Sequence, residues 1–299
     1  MVFHTGEIAV QTQVGVKEEA QSLSSVISNI IKPSAEEFLS NQQFAIASTI
    51  DANGNIWASL LTGHRGFIRV LNEQSVQIET TLIATDPLNQ NLQHHDYIGL
   101  LIIDLAQRKR LRLNGRALNK PPEKIKIQIQ QTFFNCPKYI QVRHLETVTS
   151  EFPRQVQIQT TNALNLTQQY WIAQSDTFFI ASSHPERGAD ASHRGGFPGF
   201  VQILDSQKLV FPDYAGNNMF QTLGNLVVNP NAGLLFIDFA AGHTLQITGK
   251  AKVIWETKRL AAFPGAQRLV EFDISQVWET RNASSLRWRF EEYSPANPG

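Results

Sequence analysis

The stretch Gly99-Leu100-Leu101-Ile102-Ile103-Asp104 returns later in the same chain as Gly233-Leu234-Leu235-Phe236-Ile237-Asp238. Each copy opens on glycine, runs through four apolar residues and closes on aspartate, which reads as a strand. The agreement widens outward. Leu111-Arg112-Leu113-Asn114-Gly115-Arg116-Ala117 matches Leu245-Gln246-Ile247-Thr248-Gly249-Lys250-Ala251, and Phe44-Ala45-Ile46-Ala47-Ser48 matches Phe178-Phe179-Ile180-Ala181-Ser182. Ala58-Ser59 matches Ala191-Ser192, and Gly63, Gly66 and Phe67 match Gly196, Gly199 and Phe200. A repeat of this length is a whole domain rather than a solenoid unit, so the chain is expected to be an intrachain pseudo-dimer. A site normally shared by two subunits would then be built within one.

Composition narrows the function classes. With 299 residues, 42% hydrophobic and 17% charged, the chain can bury a core in each of two ordinary domains. The 26 basic and 26 acidic side chains cancel, so no global field draws the chain to nucleic acid or to an anionic membrane, and any phosphate binding must be local. Cys136 is the only cysteine, which excludes an internal disulfide and agrees with a reducing compartment. The start, Met1 to Glu7, lacks signal-peptide character and no apolar run reaches membrane-spanning length, so a cytoplasmic location is expected.

Short apolar or alternating runs predict strands at 44–50, 57–62, 66–71, 76–81, 98–105 and 110–117, with a helix over 87–95. The second copy repeats this order at 178–182, 190–194, 199–204, 208–211, 233–239 and 244–255, with a helix over 219–227. The expected fold is therefore mainly β with helices, two tandem β-barrels. The expected divisions are an N-terminal helical segment (1–43), a first barrel (44–120), a helical connector (121–176), a second barrel (177–256) and a C-terminal segment (257–299). Helical spacing is read over 17–42, with Val26, Ile27, Ile30 and Ile31 on one side, over Lys124 to Thr132, and near Thr167 to Gln174. Val277 to Tyr293, rich in Trp and Arg, reads as a segment laid over a surface.

Shared residues report matching cores, so the chemistry is sought where the copies diverge. Leu60-Leu61-Thr62 becomes His193-Arg194-Gly195, following Ser192. Arg194 is suited to a bidentate phosphate contact, and Gly195-Gly196 lets a flat ligand approach the backbone. The Glu79 to Pro87 region, apolar in character, becomes Phe211-Pro212-Asp213-Tyr214-Ala215-Gly216-Asn217-Asn218. Asn217 or Asn218 can cap the helix that follows, and an uncovered helix N-terminus would offer amide donors to an anion. The two divergences fall on neighbouring strands of one copy, which favours a ligand site there.

At these residues the chain resembles the pyridoxamine 5'-phosphate oxidase-like, FMN-binding split-barrel proteins, and among them the tandem-barrel members. Matching strings are Phe3-His4-Thr5-Gly6-Glu7, Asn135-Cys136-Pro137-Lys138-Tyr139-Ile140-Gln141, and the segments 190–196 and 211–230. The resemblance implies FMN as cofactor. It places the phosphate on Ser192, His193, Arg194, Gly195, Asn217, Asn218 and Thr222, the ring near Pro212, Asp213 and Tyr214, and a further contact at Thr244. Where the oxidase proper has a Ser-Arg-Lys cluster this chain has Phe220-Gln221-Thr222, and its Arg-Gln pair is replaced by His243-Thr244, so pyridoxamine phosphate is not implied as substrate. In single-barrel relatives the partner supplies a second wall; by polarity and position the candidates here are Arg110, Arg112, Lys138, Tyr139, Arg287 and Trp288.

The expected function is an FMN-dependent oxidoreductase acting on an unidentified small molecule, with a nicotinamide or a protein as electron donor and room for a further homodimer. His193 is the candidate for proton transfer, since imidazole titrates near neutrality. The alternatives are a haem-binding or haem-degrading split barrel, with His193 or His243 as axial ligand, and a non-catalytic flavin binder. A Ser192-His193-Asp190 triad is disfavoured because neighbours on a strand face opposite sides. His94-His95-Asp96 reads as a solvated turn, so no metal is expected, and Cys136 reads as an unreactive thiol. His4 and Glu7 either touch a ligand or pin the N-terminus.

Overall fold

The computed structural model describes residues 2–80, 83–119, 121, 124–146 and 155–298. Thr81 at the end of the expected fourth strand, Pro122, and residues 147–154 of the expected connector lie outside that set.

The repeated strings become corresponding strands. In the first half these are β1 (Phe44–Ile50), β2 (Ile56–Thr62), β3 (Ile68–Asn72), β4 (Ser75–Ile78), β5 (Tyr97–Asp104), β6 (Lys109–Ala117) and β7 (Ile125–Asn135). They pair in the order β2-β1-β5-β6-β7-β4-β3. After β8 (Val142–Glu146) and β9 (Gln157–Thr161), the second half supplies β10 (Thr177–His184), β11 (Gly188–Gly195), β12 (Gln202–Asp205), β13 (Lys208–Asp213), β14 (Asn231–Asp238), β15 (His243–Ile254) and β16 (Arg268–Arg281). Their order, β11-β10-β14-β15-β16-β13-β12, reproduces that of the first sheet position for position. Every pairing is antiparallel, and no pair joins the two edge strands of either sheet among the described residues. β9 pairs with β16, and β17 (Arg287–Glu292) pairs with β8.

Among the described residues, six α-helices accompany these sheets: α1 (Thr5–Val14), α2 (Lys17–Ser22), α3 (Pro33–Ser40), α4 (Pro87–His94), α5 (Leu166–Gln174) and α6 (Gln221–Val228). Each sheet has its own apolar core, one around Phe178, Phe211, Phe236 and Phe272, the other around Leu39, Leu61, Ile78 and Leu100. Burying each such side chain contributes about 1.5–3 kcal/mol. A third cluster joins the halves, with Ile46, Ile56 and Leu101 of the first packed on Phe179, Ala191 and Leu235 of the second. The junction is reciprocal. A Cβ on Gly99 would lie 2.5 Å from Ala189 O, and one on Gly233 would lie 2.5 Å from Ile56 O, so at both places only glycine admits the opposite backbone.

Three expectations are corrected. Lys124 to Thr132 is not helical: it lies in β7, where Ile125, Ile127 and Ile129 are buried and Lys126 and Gln130 exposed, the period of a strand. Val277 to Tyr293 is not one overlaid segment: 277–281 complete β16, flanked by β15 and β9, and Arg287–Glu292 form β17 against β8. The helical spacing of 17–42 is interrupted at 27–32, which includes a bridge from Ser28 to Thr132, while the further helix expected to start at Pro33-Ser34 with Phe38 and Leu39 is α3.

No helix among the described residues is long and apolar enough to cross a membrane.

Candidate functional site

β11 and β13 are not neighbours in the second sheet, but their last residues meet in one cleft with the loop 214–220 and the start of α6. Opposite them stand β6 of the first half and the segment following β7. The cleft between is lined from the second half by Ser192, His193, Arg194, Gly195, Pro212, Asp213, Tyr214, Asn217, Asn218 and Thr222, and from the first by Arg110, Arg112, Lys138 and Tyr139. The residues singled out by comparing the two copies therefore converge.

The start of α6 is unusual. Its N-cap is Phe220, in the left-handed region at φ 58°, and no side chain caps the helix. Asn218 is also left-handed at φ 58°. The expectation that Asn217 or Asn218 caps α6 is thus corrected, since both amides are engaged elsewhere. Asn217 Oδ1 accepts from Met219 N–H at 3.2 Å while its Nδ2 donates to Asn135 Oδ1, and Asn218 Nδ2 donates to Glu19 Oε2 at 3.0 Å. An α-helix leaves its first amides without intrahelical acceptors, and they carry the positive end of the dipole. Asn218 and Phe220, two non-glycine left-handed residues on either side of Met219, each store of order 1 kcal/mol, the kind of strain that clusters at functional sites.

Around this helix start the side chains are cationic. Arg112 crosses from the first half to donate to Ser192 Oγ and Gln221 Oε1, with its Nε 3.1 Å from Asp190 Oδ1. Thr222 Oγ1 donates to the same Ser192 Oγ at 3.0 Å. Asp213 is held by Arg268 Nε at 2.8 Å, and Arg194 approaches it only to 3.9 Å. The Nε atoms of Arg110 and Arg194 are buried with no hydrogen-bond acceptor. Burial, then Arg112 and Arg194, push Arg110 down to about 9. Such crowding of guanidinium groups is relieved by an anion among them.

His193 is not the near-neutral proton carrier expected from its type. Burial, with Arg110, Arg194 and Arg143 around it, holds the imidazole well below its ordinary value. An Arg110 guanidinium nitrogen lies 3.3 Å from His193 Nδ1, which makes Nδ1 the acceptor and leaves the proton on the unpartnered Nε2. The ring is neutral and buried, packed edge-on against Phe179 at the wall of the cleft.

At the mouth, Tyr139 and Tyr214 lie with ring centroids 5.1 Å apart, and Tyr139 OH donates to Ala215 O at 2.8 Å. Burial pushes the Tyr214 hydroxyl up to about 12.

Three expected residues do not line the cleft. Thr244 is buried on β15, on the same face as Gln246, which reaches Ala58 and Ser59 of the first half. Trp288 packs between Phe44 and Phe239, and Arg287 donates to Ser284 O beneath Gly242. Residues not anticipated in the lining include Gln221, Asn135, Phe200 and Phe220. Arg268, which holds Asp213, also escaped the sequence reading; it is the register partner of Asp213 across β13 and β16. His4 and Glu7 turn out to fasten the N-terminus. They form a reciprocal cap on α1, and His4 Nε2 donates to Asn225 Oδ1 on α6 at 3.0 Å.

The fold and site define a β protein with a cationic cleft shared by two similar sheets. Residues 166–290 match the family model described as Pyridoxamine 5'-phosphate oxidase. Over these residues the chain is similar to that family. No curated protein matches the chain. Among solved structures it is similar to the FAD binding protein from Mycobacterium smegmatis (11% identity, TM-score 0.29, covering 40% of this chain and 98% of that one). It is also similar to a protein related to general stress protein 26, of the pyridoxinephosphate oxidase family, from Clostridium acetobutylicum (10% identity, TM-score 0.28, 40% and 89%). A third is HupZ from Group A Streptococcus (10% identity, TM-score 0.31, 38% and 90%). At these values the likenesses assign no role to any residue.

Proposed function

We propose that the chain is two tandem split barrels forming an intrachain pseudo-dimer, and that the cleft between them binds FMN for an oxidoreductase reaction on a small molecule. The observation that carries the reading is the pair of buried, acceptorless Nε atoms of Arg110 and Arg194 beside the uncapped start of α6. A phosphomonoester supplies what these groups lack, a dianion with several acceptor oxygens. The residues present fit the rest of the molecule. Tyr139 and Tyr214 offer aromatic faces at the mouth, and Gly195, which has no room for a Cβ, lets the backbone at Tyr139 close against β11.

Bound FMN would supply the redox chemistry. The chain's own residues would hold the phosphate through Arg110, Arg194 and the amides of α6, keep Ser192 oriented through Arg112 and Thr222, and hold the His193 ring neutral with its proton on Nε2. A nicotinamide or a protein would serve as electron donor, and the closed apolar junction of the halves leaves other surfaces for a further homodimer.

The absorbance spectrum of the purified chain after incubation with FMN tests the cofactor. Two flavin bands that copurify through gel filtration are expected. A single intense Soret band on incubation with haemin, with no retention of flavin, would replace the reading with haem binding at His193; His243 is already engaged, its Nδ1 accepting from Asn282 N–H at 3.0 Å. If flavin is retained, anaerobic mixing with reduced nicotinamide separates an oxidoreductase, whose flavin bleaches, from a binder.

A further inference from the structure

The first half carries a matching arrangement of donors around a helix start, and there the chain fills it itself. α4 begins at Pro87 as α6 begins at Gln221, and Asp86 is the N-cap where Phe220 is the N-cap of α6. Asp86 Oδ1 accepts from Leu88 N–H at 2.9 Å and from Ser59 Oγ at 2.6 Å. Ser59 is the counterpart of Ser192. The other carboxylate oxygen faces Gln246 Nε2 at 3.3 Å, and that amide also donates to Ala58 O at 2.9 Å and lies 3.2 Å from Ser59 Oγ. Gln246 is the counterpart of Arg112, and like Arg112 it crosses from the opposite sheet. In each half, then, a strand serine and a crossing side chain converge on a helix start. A carboxylate of the chain caps the helix at the convergence in the first half, while in the second Arg112 meets the neutral Gln221 Oε1 and no side chain caps the helix.

Neighbouring positions follow the same division. Leu60 and Leu61 stand where the second half has His193 and Arg194, and Thr244 stands where the first half supplies Arg110. Burial raises the Asp86 carboxyl, and the hydrogen bonds from Ser59, Leu88 and Gln246 act against that rise.

We propose that Asp86 is a tethered carboxylate that occupies the twin of the phosphate site, so that the chain takes one phosphate-bearing ligand and not two. The inference rests on reading the cleft at Arg194 as a phosphate site.

Calorimetric titration of the full chain with FMN is expected to give one equivalent; two equivalents would overturn the inference while leaving the cofactor reading intact. Independently, Asp86→Gly removes a side chain that matches acetate in size and charge. Acetate is expected to raise the melting temperature of Asp86→Gly above that seen in chloride of equal ionic strength, with no such difference in the unsubstituted chain or in Asp86→Asn. An acetate effect equal in all three would overturn the inference. This second measurement decides the point even if FMN fails to bind, which would refute the cofactor reading alone. If Asp86→Gly does not fold, the stoichiometry of the unsubstituted chain decides it.

Discussion

Arg112 on β6 of the first sheet sets its Nε 3.1 Å from Asp190 Oδ1 on β11 of the second, and both side chains are buried. This ion pair bridges two sheets that meet mainly through apolar contacts. Asn114 Nδ2 donates to the same Asp190 oxygen at 3.0 Å, so Oδ1 keeps these two partners only while the halves are docked.

Removing one partner of such a pair leaves a buried charge, which costs about 3–5 kcal/mol. Arg112→Ala and Asp190→Ala are each expected to lower unfolding free energy by that order in urea denaturation. A double substitution, Arg112→Met with Asp190→Leu, should cost less than the sum of the singles. Additive losses would show that the two side chains do not act as a pair.

Arg194→Ala should weaken FMN by about 10–100-fold, the worth of one charge-assisted contact of roughly 1.5–3 kcal/mol. Riboflavin has no phosphate, so its affinity should be almost unchanged by the same substitution. Fluorescence titration of both flavins reads the difference, and an equal loss for the two would place Arg194 away from the phosphate.

Glu7 gives the fold a defined pH dependence. Burial, opposed chiefly by the His4 N–H, pushes its carboxyl up to about 7. Between its ordinary value and 7 the folded state holds a proton that the unfolded state has released, so stability falls as pH rises through that window and levels off above it. Glu7→Gln keeps an acceptor for His4 N–H and removes the titration. The stability of Glu7→Gln relative to the unsubstituted chain should therefore grow from about pH 4.5 to 7 and be constant at higher pH, as read by urea midpoints across that range.

Gly99→Ala and Gly233→Ala should each destabilise by about 1–3 kcal/mol, the usual effect of forcing atoms into a filled core. Both act on the same junction through equivalent backbones, Ala189 and Ile56. Thermal melts that spare either variant would mean the halves can slide apart at that point.

The strands of both sheets were largely legible because each copy checked the other: an apolar run that occurs twice with the same neighbours is hard to misread. β7 was lost because Pro121-Pro122 reads as a domain boundary and its glutamines mask the alternation of Ile125, Ile127 and Ile129. Its counterpart β16 was lost likewise, with no repeated string to mark it. The site was legible where the copies differ, at His193, Arg194 and 212–218. Thr244 was misplaced for a geometric reason: β15 sends this face toward the other half, so its position along the strand was right and its destination was not. The open start of α6 was invisible, since two asparagines before a helix ordinarily announce a cap. Only backbone angles at Asn218 and Phe220 reveal otherwise.

Arg112 and Gln246 occupy matched places yet are written by separate codons. In an assembly of identical subunits every substitution is duplicated by symmetry, so a residue that plugs one cleft plugs the other. A single chain escapes that constraint. It can keep arginine at one place and glutamine at the other, and leave a phenylalanine beside one helix while putting an aspartate beside its counterpart. Selection can then alter one cleft without altering its mirror image.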